Sequence, residues 1–395
     1  MNTATEGARP LRDYAARLRT VLLPIIGLVL LALCGLVLLA LGTLHFGGLA
    51  LTVGVVLALL PVTVVVGAFL WVDRWEPEPA KLLMLAFTWG ACVAALTALL
   101  INNTAELVGD QLLGRGSGNT VSAVLSAPLV EETLKGAFLV GILLWRRKEF
   151  DGVVDGIVYA GFTSAGFAFT ENIYYFGRIF TEEGIGDWTG NGVLVAFIAR
   201  AVLSPFTHPL FTALLGIGLG IAARTRSTKL AVFVSLAGFV GSVGLHALWN
   251  AAATLGGSEV FLNVYFLVMV PILAGLVVLV NWHRRREQRI VASAIPELVE
   301  ARLVAESEAE LLTSLPERRR WRRQAKAESG KAAAIAVGNY QSAVTELAFL
   351  RSHESSGLDE ATAGQRQTEL VAAVRKARAD AVRSSFAYQR GRSPG

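Results

Sequence analysis

Residues 121–145 read VSAVLSAPLVEETLKGAFLVGILLW, an apolar run with two adjacent glutamates, Glu131 and Glu132, near its middle. At ~1.5 Å per helical residue the run is long enough to cross ~30 Å of hydrocarbon. A charged side chain at that depth costs at least ~2.5–3.5 kcal/mol on insertion scales, so carboxylates there mark a function or a partner. Lys135 follows four residues after Glu131 and three after Glu132, within reach of both on a helix. Neighbouring apolar stretches hold further polar groups: Glu171 with Asn172, His208, and His246 with Asn250. Polar positions spread over four stretches have the character of one shared site.

The rest of the chain is membrane material up to about Trp282. Mean hydropathy is +0.52. Charged residues make up 17% of the 395 residues, below the ~25% of soluble domains. Apolar windows give eight spans, at 21–44, 49–72, 82–102, 121–145, 152–176, 193–222, 230–253 and 260–282, the sixth open to a break at Pro205 or Pro209. The fold expected is therefore all-α: a polytopic membrane helix bundle of about eight transmembrane helices.

Loop charge sets the orientation. Arg9, Arg12, Arg17 and Arg19 precede the first span, and alternate connections carry Arg74 and Lys81, then Arg146, Arg147 and Lys148, then Arg224, Arg226 and Lys229, then Arg284, Arg285, Arg286 and Arg289. The intervening connections hold Glu106, Asp110, Glu182, Glu183, Asp187 and Glu259 against only Arg115 and Arg178. By the positive-inside rule both termini are cytoplasmic in an integral protein of the cell membrane. The first span is too long for a signal peptide and reads as a retained anchor. Three regions follow: a cytoplasmic segment 1–20, a membrane domain 21–283, and a charged tail 284–395, helical or partly disordered. The tail carries 20 Lys and Arg against 14 Asp and Glu. Its breaks are expected near Pro316, Gly330 and Ser355-Ser356-Gly357, and its basic cluster 317–323 suits anionic lipid.

Several chemistries are not supported. Cys34 and Cys92 stand alone inside spans and suit packing rather than a disulfide or a metal cluster. Phosphate loops and a Gly-x-Ser-x-Gly elbow are absent from the sequence. The glycines at 152, 156, 161 and 166, and at 216, 218 and 220, suit close helix approach. No nucleic-acid partner is implied.

What remains is the polar set. Measured along straight helices from the external ends of their spans, Glu171 and His246 lie roughly 8–10 Å deep, Glu131 about 15 Å and His208 about 20 Å. One water-reachable cavity would satisfy them together. A carboxylate that takes a proton from water, with histidines or an amide donating to the oxyanion, suits peptide hydrolysis. A divalent metal ion held by Glu and His is an alternative, with Glu171, His208 and His246 as candidate ligands. Plainer readings exist: Glu132 with Lys135 as a buried ion pair, His246 as packing, Asn250 as a helix cap, and Arg200 as a structural partner of Glu171.

In order, Glu131-Glu132-x-x-Lys135, Phe167-x-x-x-Glu171-Asn172, His208-Pro209 and His246-x-x-x-Asn250, with Asp73-Arg74-Trp75-Glu76-Pro77 ahead of the third span, resemble the PrsW family of intramembrane proteases, distant relatives of the CAAX prenyl endopeptidases. The resemblance covers about residues 70–255. It implies a glutamate-dependent peptidase acting on single-span membrane proteins, anti-sigma factors being the known type, with lipid as its surroundings. It also implies catalytic roles for Glu131 and Glu132, polarising or ligand roles for His208 and His246, oxyanion support from Asn250, and Glu171 orienting a histidine or binding a metal. In the CAAX relatives a histidine stands where Glu171 does. The competing classes are a proton- or ion-coupled transporter and an inactive membrane scaffold; the transporter reading lacks an inverted repeat.

Overall fold

The computed structural model describes residues 23–384 apart from 76, 148, 187–191 and 355–359. The segment 1–20 with its arginines, Lys148, Asp187 and the break at Ser355-Ser356-Gly357 lie outside the described residues. Every element among the described residues is a helix or turn, so the chain is a helical bundle as its hydropathy requires. It divides into two compact units. One joins the chain up to Trp71 with Glu78–Gly275; the other joins Val72–Pro77 with the chain from Leu276 onward.

The first unit is built from α1 (Leu23–Val72), α2 (Ala80–Leu113), α3 (Ala127–Trp145), α4 (Val153–Glu183), α5 (Val193–Phe197), α6 (Thr207–Arg224), α7 (Thr228–Leu255) and the start of α8 (Gly257–Glu300). Among the described residues six helical stretches are long and apolar enough to cross a membrane, against the eight windows read from the sequence. The difference has two sources. The two windows at 21–72 are one element, α1, of 50 residues. Gly47 interrupts it at φ 81°, ψ 159°, a backbone region essentially reserved for glycine. The arms fold back there: Gly42 meets Leu51, while Leu38 reaches Tyr174 and Gly54 reaches Ile173 on α4. The other source is α3, whose Glu131, Glu132 and Lys135 keep it out of the apolar set although it is a helix of 19 residues.

The outer faces are apolar, with Leu44 on α1, Phe233 on α7 and Leu267 on α8 all exposed. A patchwork of that extent is suited to lipid contact. The centre is the crossing of α4 and α6, where Gly156 and Gly216 each face the other's carbonyl with no room for a Cβ, the close approach that small residues permit. Two departures from the expected boundaries bear on the site. Helix α4 runs to Glu183 rather than stopping near 176. The sixth span is broken: after α5 a π-helical turn covers Ile198–Leu203, and α6 starts afresh at Thr207, just past Pro205. Proline cannot supply the N–H that a continuous helix would need there, whereas Pro209 in the first turn of α6 costs nothing.

The second unit contains the end of α8, α9 (Glu306–Thr313), α10 (Leu315–Glu354) and α11 (Glu360–Ser384). The expected breaks near Pro316 and Gly330 are present, the latter as a reversal of α10 at φ 83°, ψ −177°. Trp321 meets Tyr340 and Arg318 meets Thr345 across that reversal. The unit has its own core around Leu298, Leu312, Val344 and Leu347. Inside it Glu308 accepts from Tyr340 at 2.6 Å, from the Ala305 N–H at 2.9 Å and from Arg378. Burial, and then the Glu308 carboxylate, push the Tyr340 phenol above its usual range. The basic cluster 317–323 is split: Arg319, Arg320, Arg322 and Arg323 are exposed, while Arg318 and Trp321 are core residues. Arg318 donates to the Leu312 carbonyl at 2.7 Å and stacks 4.9 Å from the Trp75 ring; burial pushes its guanidinium down to about 10.

Candidate active site

The paired glutamates of α3 point to different neighbours because adjacent helical positions diverge by ~100°. Glu132 is fully buried and saturated. Its Oε1 accepts from Lys135 Nζ at 2.8 Å and from His246 Nδ1 at 3.1 Å, and its Oε2 accepts from Thr212 and Ser242, each at 2.7 Å. Ser164 in turn donates to Thr212 at 2.7 Å. Four donors fill the carboxylate's capacity, so Glu132 is held as an anion that fixes α3, α6 and α7 to one another.

Glu131 is held loosely by comparison. Asn102 Nδ2 of α2 approaches its Oε1 at 3.3 Å, Lys135 its Oε2 at 3.5 Å, and His246 Nε2 stands 3.9 Å from that same oxygen. It lines a cavity shared with Asn102 and Glu171. One of the two carboxylates is therefore committed to structure, and the other faces open space.

The histidines converge on the same point. His208, in the first turn of α6, places Nε2 2.6 Å from Glu171 Oε2. A carboxylate only accepts, so that nitrogen carries the proton and Nδ1 accepts from Lys135 at 3.2 Å. By the same logic His246 donates from Nδ1 to Glu132 and turns the lone pair of Nε2 inward. The two rings are 5.3 Å apart, with Phe211 stacked on His246 and Phe167 beneath His208 and Lys135. Glu171 also accepts from Arg200 at 2.6 Å, and Arg200 donates on to Asn172 at 2.7 Å, so the suggested Arg200–Glu171 pair is present. Depths expected to span about 8 to 20 Å collapse to one level. The straight-rod estimate fails because α4 is longer, and the sixth span broken, compared with the windows read from sequence.

Of the residues singled out in the sequence, Glu131, Glu132, Lys135, Glu171, His208 and His246 come together. Asn250 does not join them: its amide donates to the Ala123 carbonyl at 2.8 Å, one turn beyond His246 on α7. Asn102, Thr212, Ser242 and Ser164 belong to the site and were not anticipated. Ser242 and Thr212 are each four residues from a site histidine, on the same helix face, which is the one signal available for them; isolated hydroxyls in apolar helices are common. Asn102 had a fainter mark, an amide pair with Asn103 inside an apolar run.

Glu131, His208 and His246 also offer three ligand atoms within 4.8 Å of one another. This set differs from the expected one by having Glu131 in place of Glu171. Two imidazoles and a carboxylate, each imidazole backed by a second carboxylate, fit a divalent ion of the zinc type. Lys135 puts an ammonium among the same donors, so an ion there would shift that ammonium toward Glu132.

A polytopic helical bundle that gathers carboxylates and histidines at a helix break, with two of the carboxylates lining a cavity, defines a membrane protein with a buried polar site. The sequence pattern of the PrsW family intramembrane metalloproteases matches residues 78–276, and the chain belongs to that family. Proteins called Protease PrsW are similar to it. The one from Geobacillus kaustophilus is 33% identical over 150 residues, 38% of this chain and 58% of the relative. The one from Bacillus subtilis is 28% identical over 198 residues, 50% and 81% of the two chains, and that from Clostridioides difficile is 34% identical over 163 residues, 40% and 62%. The chain thus spans little more than half the length of the first of these relatives. No solved structure matches the chain.

Proposed function

We propose that the protein is an intramembrane endopeptidase that hydrolyses membrane-anchored, single-span proteins with a water activated at Glu131. The observation that carries this reading is the asymmetry of the paired glutamates: Glu132 has four donors, whereas Glu131 turns a thinly satisfied carboxylate to a cavity. A general base must reach substrate water and be free to take a proton, and of the two only Glu131 meets both conditions.

The other residues follow from their contacts. Glu132 orients His246 by accepting its Nδ1–H hydrogen bond and neutralises Lys135. Glu171 does the same for His208, and is itself neutralised by Arg200. Asn102 accepts from Ser126 at 2.8 Å through its Oδ1 and gives one amide proton to Glu131. Its second amide proton has no partner among the described residues, which supports a role in donating to the carbonyl oxygen of a bound peptide. That makes Asn102, rather than Asn250, the amide assigned to the oxyanion. A divalent ion held by Glu131, His208 and His246 would supply a polarised carbonyl and a more acidic water, and Glu131 would then act as a ligand in place of a free base.

With both termini cytoplasmic, the orientation that the loop charges favour, the site lies in the external half to midplane of the membrane, and scission falls toward the external boundary of the substrate's span. Anti-sigma factors are the substrate class the family suggests. The test is a comparison of membrane-protein termini in cells carrying the wild type and Glu131→Gln at matched levels. New termini near external membrane surfaces, present only with the wild type, support the reading. Undiminished cleavage by Glu131→Gln would reject it in favour of transport or scaffolding. Fragments ending in the cytoplasmic half of a span would reject external cutting alone.

A further inference from the structure

The cavity beside Glu131 has about 210 Å³ of space, more than the ~150 Å³ that accommodates a benzene ring in an apolar protein interior. Its chemistry is uneven. Its lining includes Glu131, Glu171 and the Asn102 amide, and is otherwise mainly apolar, from Leu38 on α1, Ala95, Ala98 and Leu99 on α2, and Tyr174 on α4. Ala95 and Ala98 are buried, three residues apart on one helix face, and it is their shortness that leaves the space open. The α1 wall is fastened in place: the Tyr174 hydroxyl donates to the Leu38 carbonyl. Leu38 lies outside residues 78–276, the part of the chain that matches the family pattern.

We propose that this cavity is a specificity pocket that receives the side chain of the substrate residue adjoining the scissile bond, and that it selects a medium-sized apolar side chain of the Leu, Met or Phe class. The proposal rests on the protease reading above. Glu131 sits at the edge of the cavity, so a peptide group presented to that carboxylate places a flanking side chain against Leu38 and Ala98. An acidic side chain would meet Glu131 and Glu171 with like charge. A basic one would pair with Glu131 and occupy the carboxylate that has to take the proton. A glycine would leave the cavity unfilled and forgo the burial of ~25 cal/mol per Å² of apolar surface. Ala98 and Leu38 both line the space that side chain would fill.

The test uses the full chain in phosphatidylethanolamine–phosphatidylglycerol vesicles with a single-span reporter protein. The residues on either side of its mapped cut are replaced in turn by Gly, Ala, Leu, Phe, Asp and Lys. At one of the two positions Leu or Phe is expected to be cut at least about tenfold faster than Gly, Asp or Lys, about 1.4 kcal/mol in transition-state binding. Ala98→Phe fills the pocket and should reverse the order, so that Gly and Ala are cut faster than Leu and Phe. Leu38→Ala enlarges it and should move the preference from Leu toward Phe, which decides the matter if Ala98→Phe fails to fold. An unchanged order of preference in the variants, or no apolar preference at either position in the wild type, overturns the pocket. A wild type that cuts no reporter in a Glu131-dependent way overturns the protease reading itself, and the pocket with it.

Discussion

At the residue scale the two neighbouring glutamates separate into different kinds of variant. Glu131→Gln removes the proton acceptor and touches few bonds, so turnover should fall by at least ~10²-fold while the thermal midpoint in detergent changes little. Glu132→Gln leaves the Lys135 ammonium buried against a neutral amide, and breaking a buried pair costs ~3–5 kcal/mol, so this variant should lose stability and activity together. Equal stability losses in the two variants would contradict the division of labour. The amides give a second contrast. Asn102→Ala should lower the rate of a folded protein, chiefly in kcat, whereas Asn250→Ala removes the bond to Ala123 and should appear as a loss of ~1–2 kcal/mol in stability. A rate defect confined to the Asn250 variant would return the oxyanion role to that residue. For the proposed ion, the readout independent of turnover is stabilisation. Zinc at 100 times its Kd should add ~2.7 kcal/mol to the wild type and nothing to His246→Ala; identical responses would remove Glu131, His208 and His246 as ligands.

At the element scale the site exists because two helices depart from regularity. The break before Thr207 lets His208 reach the polar cluster from the first turn of α6, beside Glu171 of α4. The crossing of α4 with α6 holds them there, and it depends on Gly156 and Gly216 having no side chains. Gly156→Leu is expected to push the helices apart, abolish cleavage and lower the thermal midpoint, although it lies about four turns along α4 from Glu171. Normal activity in a stable Gly156→Leu protein would show that the crossing does not position the site. The reversal at Gly47 is a different kind of requirement. Nothing crowds that glycine, so Gly47→Ala should cost only the backbone strain of ~1–3 kcal/mol.

At the scale of the whole molecule, the segment 72–77 between α1 and α2 belongs with the C-terminal unit. Trp75 is buried with Val291, Ala294, Ala348 and Phe349, under the Arg318 guanidinium. Trp75→Ala should therefore destabilise residues 276–384 by ~3–5 kcal/mol. Hydrogen exchange on the full chain would show the loss in α9 and α10, and protection there unchanged from wild type would refute the assignment. That packed unit is the part of the chain hardest to see in advance. An Ala-, Arg- and Glu-rich tail has helical periodicity and breaks at Pro316 and Gly330, but burial of Arg318 and Glu308 depends on partners 27 and 32 residues away, Thr345 and Tyr340. Read locally, the same arginines look like a lipid-facing patch.

The sequence by itself determined that the chain is a helical membrane protein and where its apolar runs lie, and it marked Glu131, Glu132, Lys135, Glu171, Asn172, His208, His246 and Asn250 as candidates for one site. Those properties are local: hydropathy, helical periodicity, and the high cost of burying a charge without a partner. Only the tertiary structure decided which glutamate is free, that Glu171 backs His208 instead of joining the ligand set, that Asn102 belongs to the site and Asn250 holds a turn, and that Leu38 and Ala98 bound a cavity. Each of these depends on which donors from other helices reach a given oxygen within about 3 Å, and spacing along one helix carries no information about that distance.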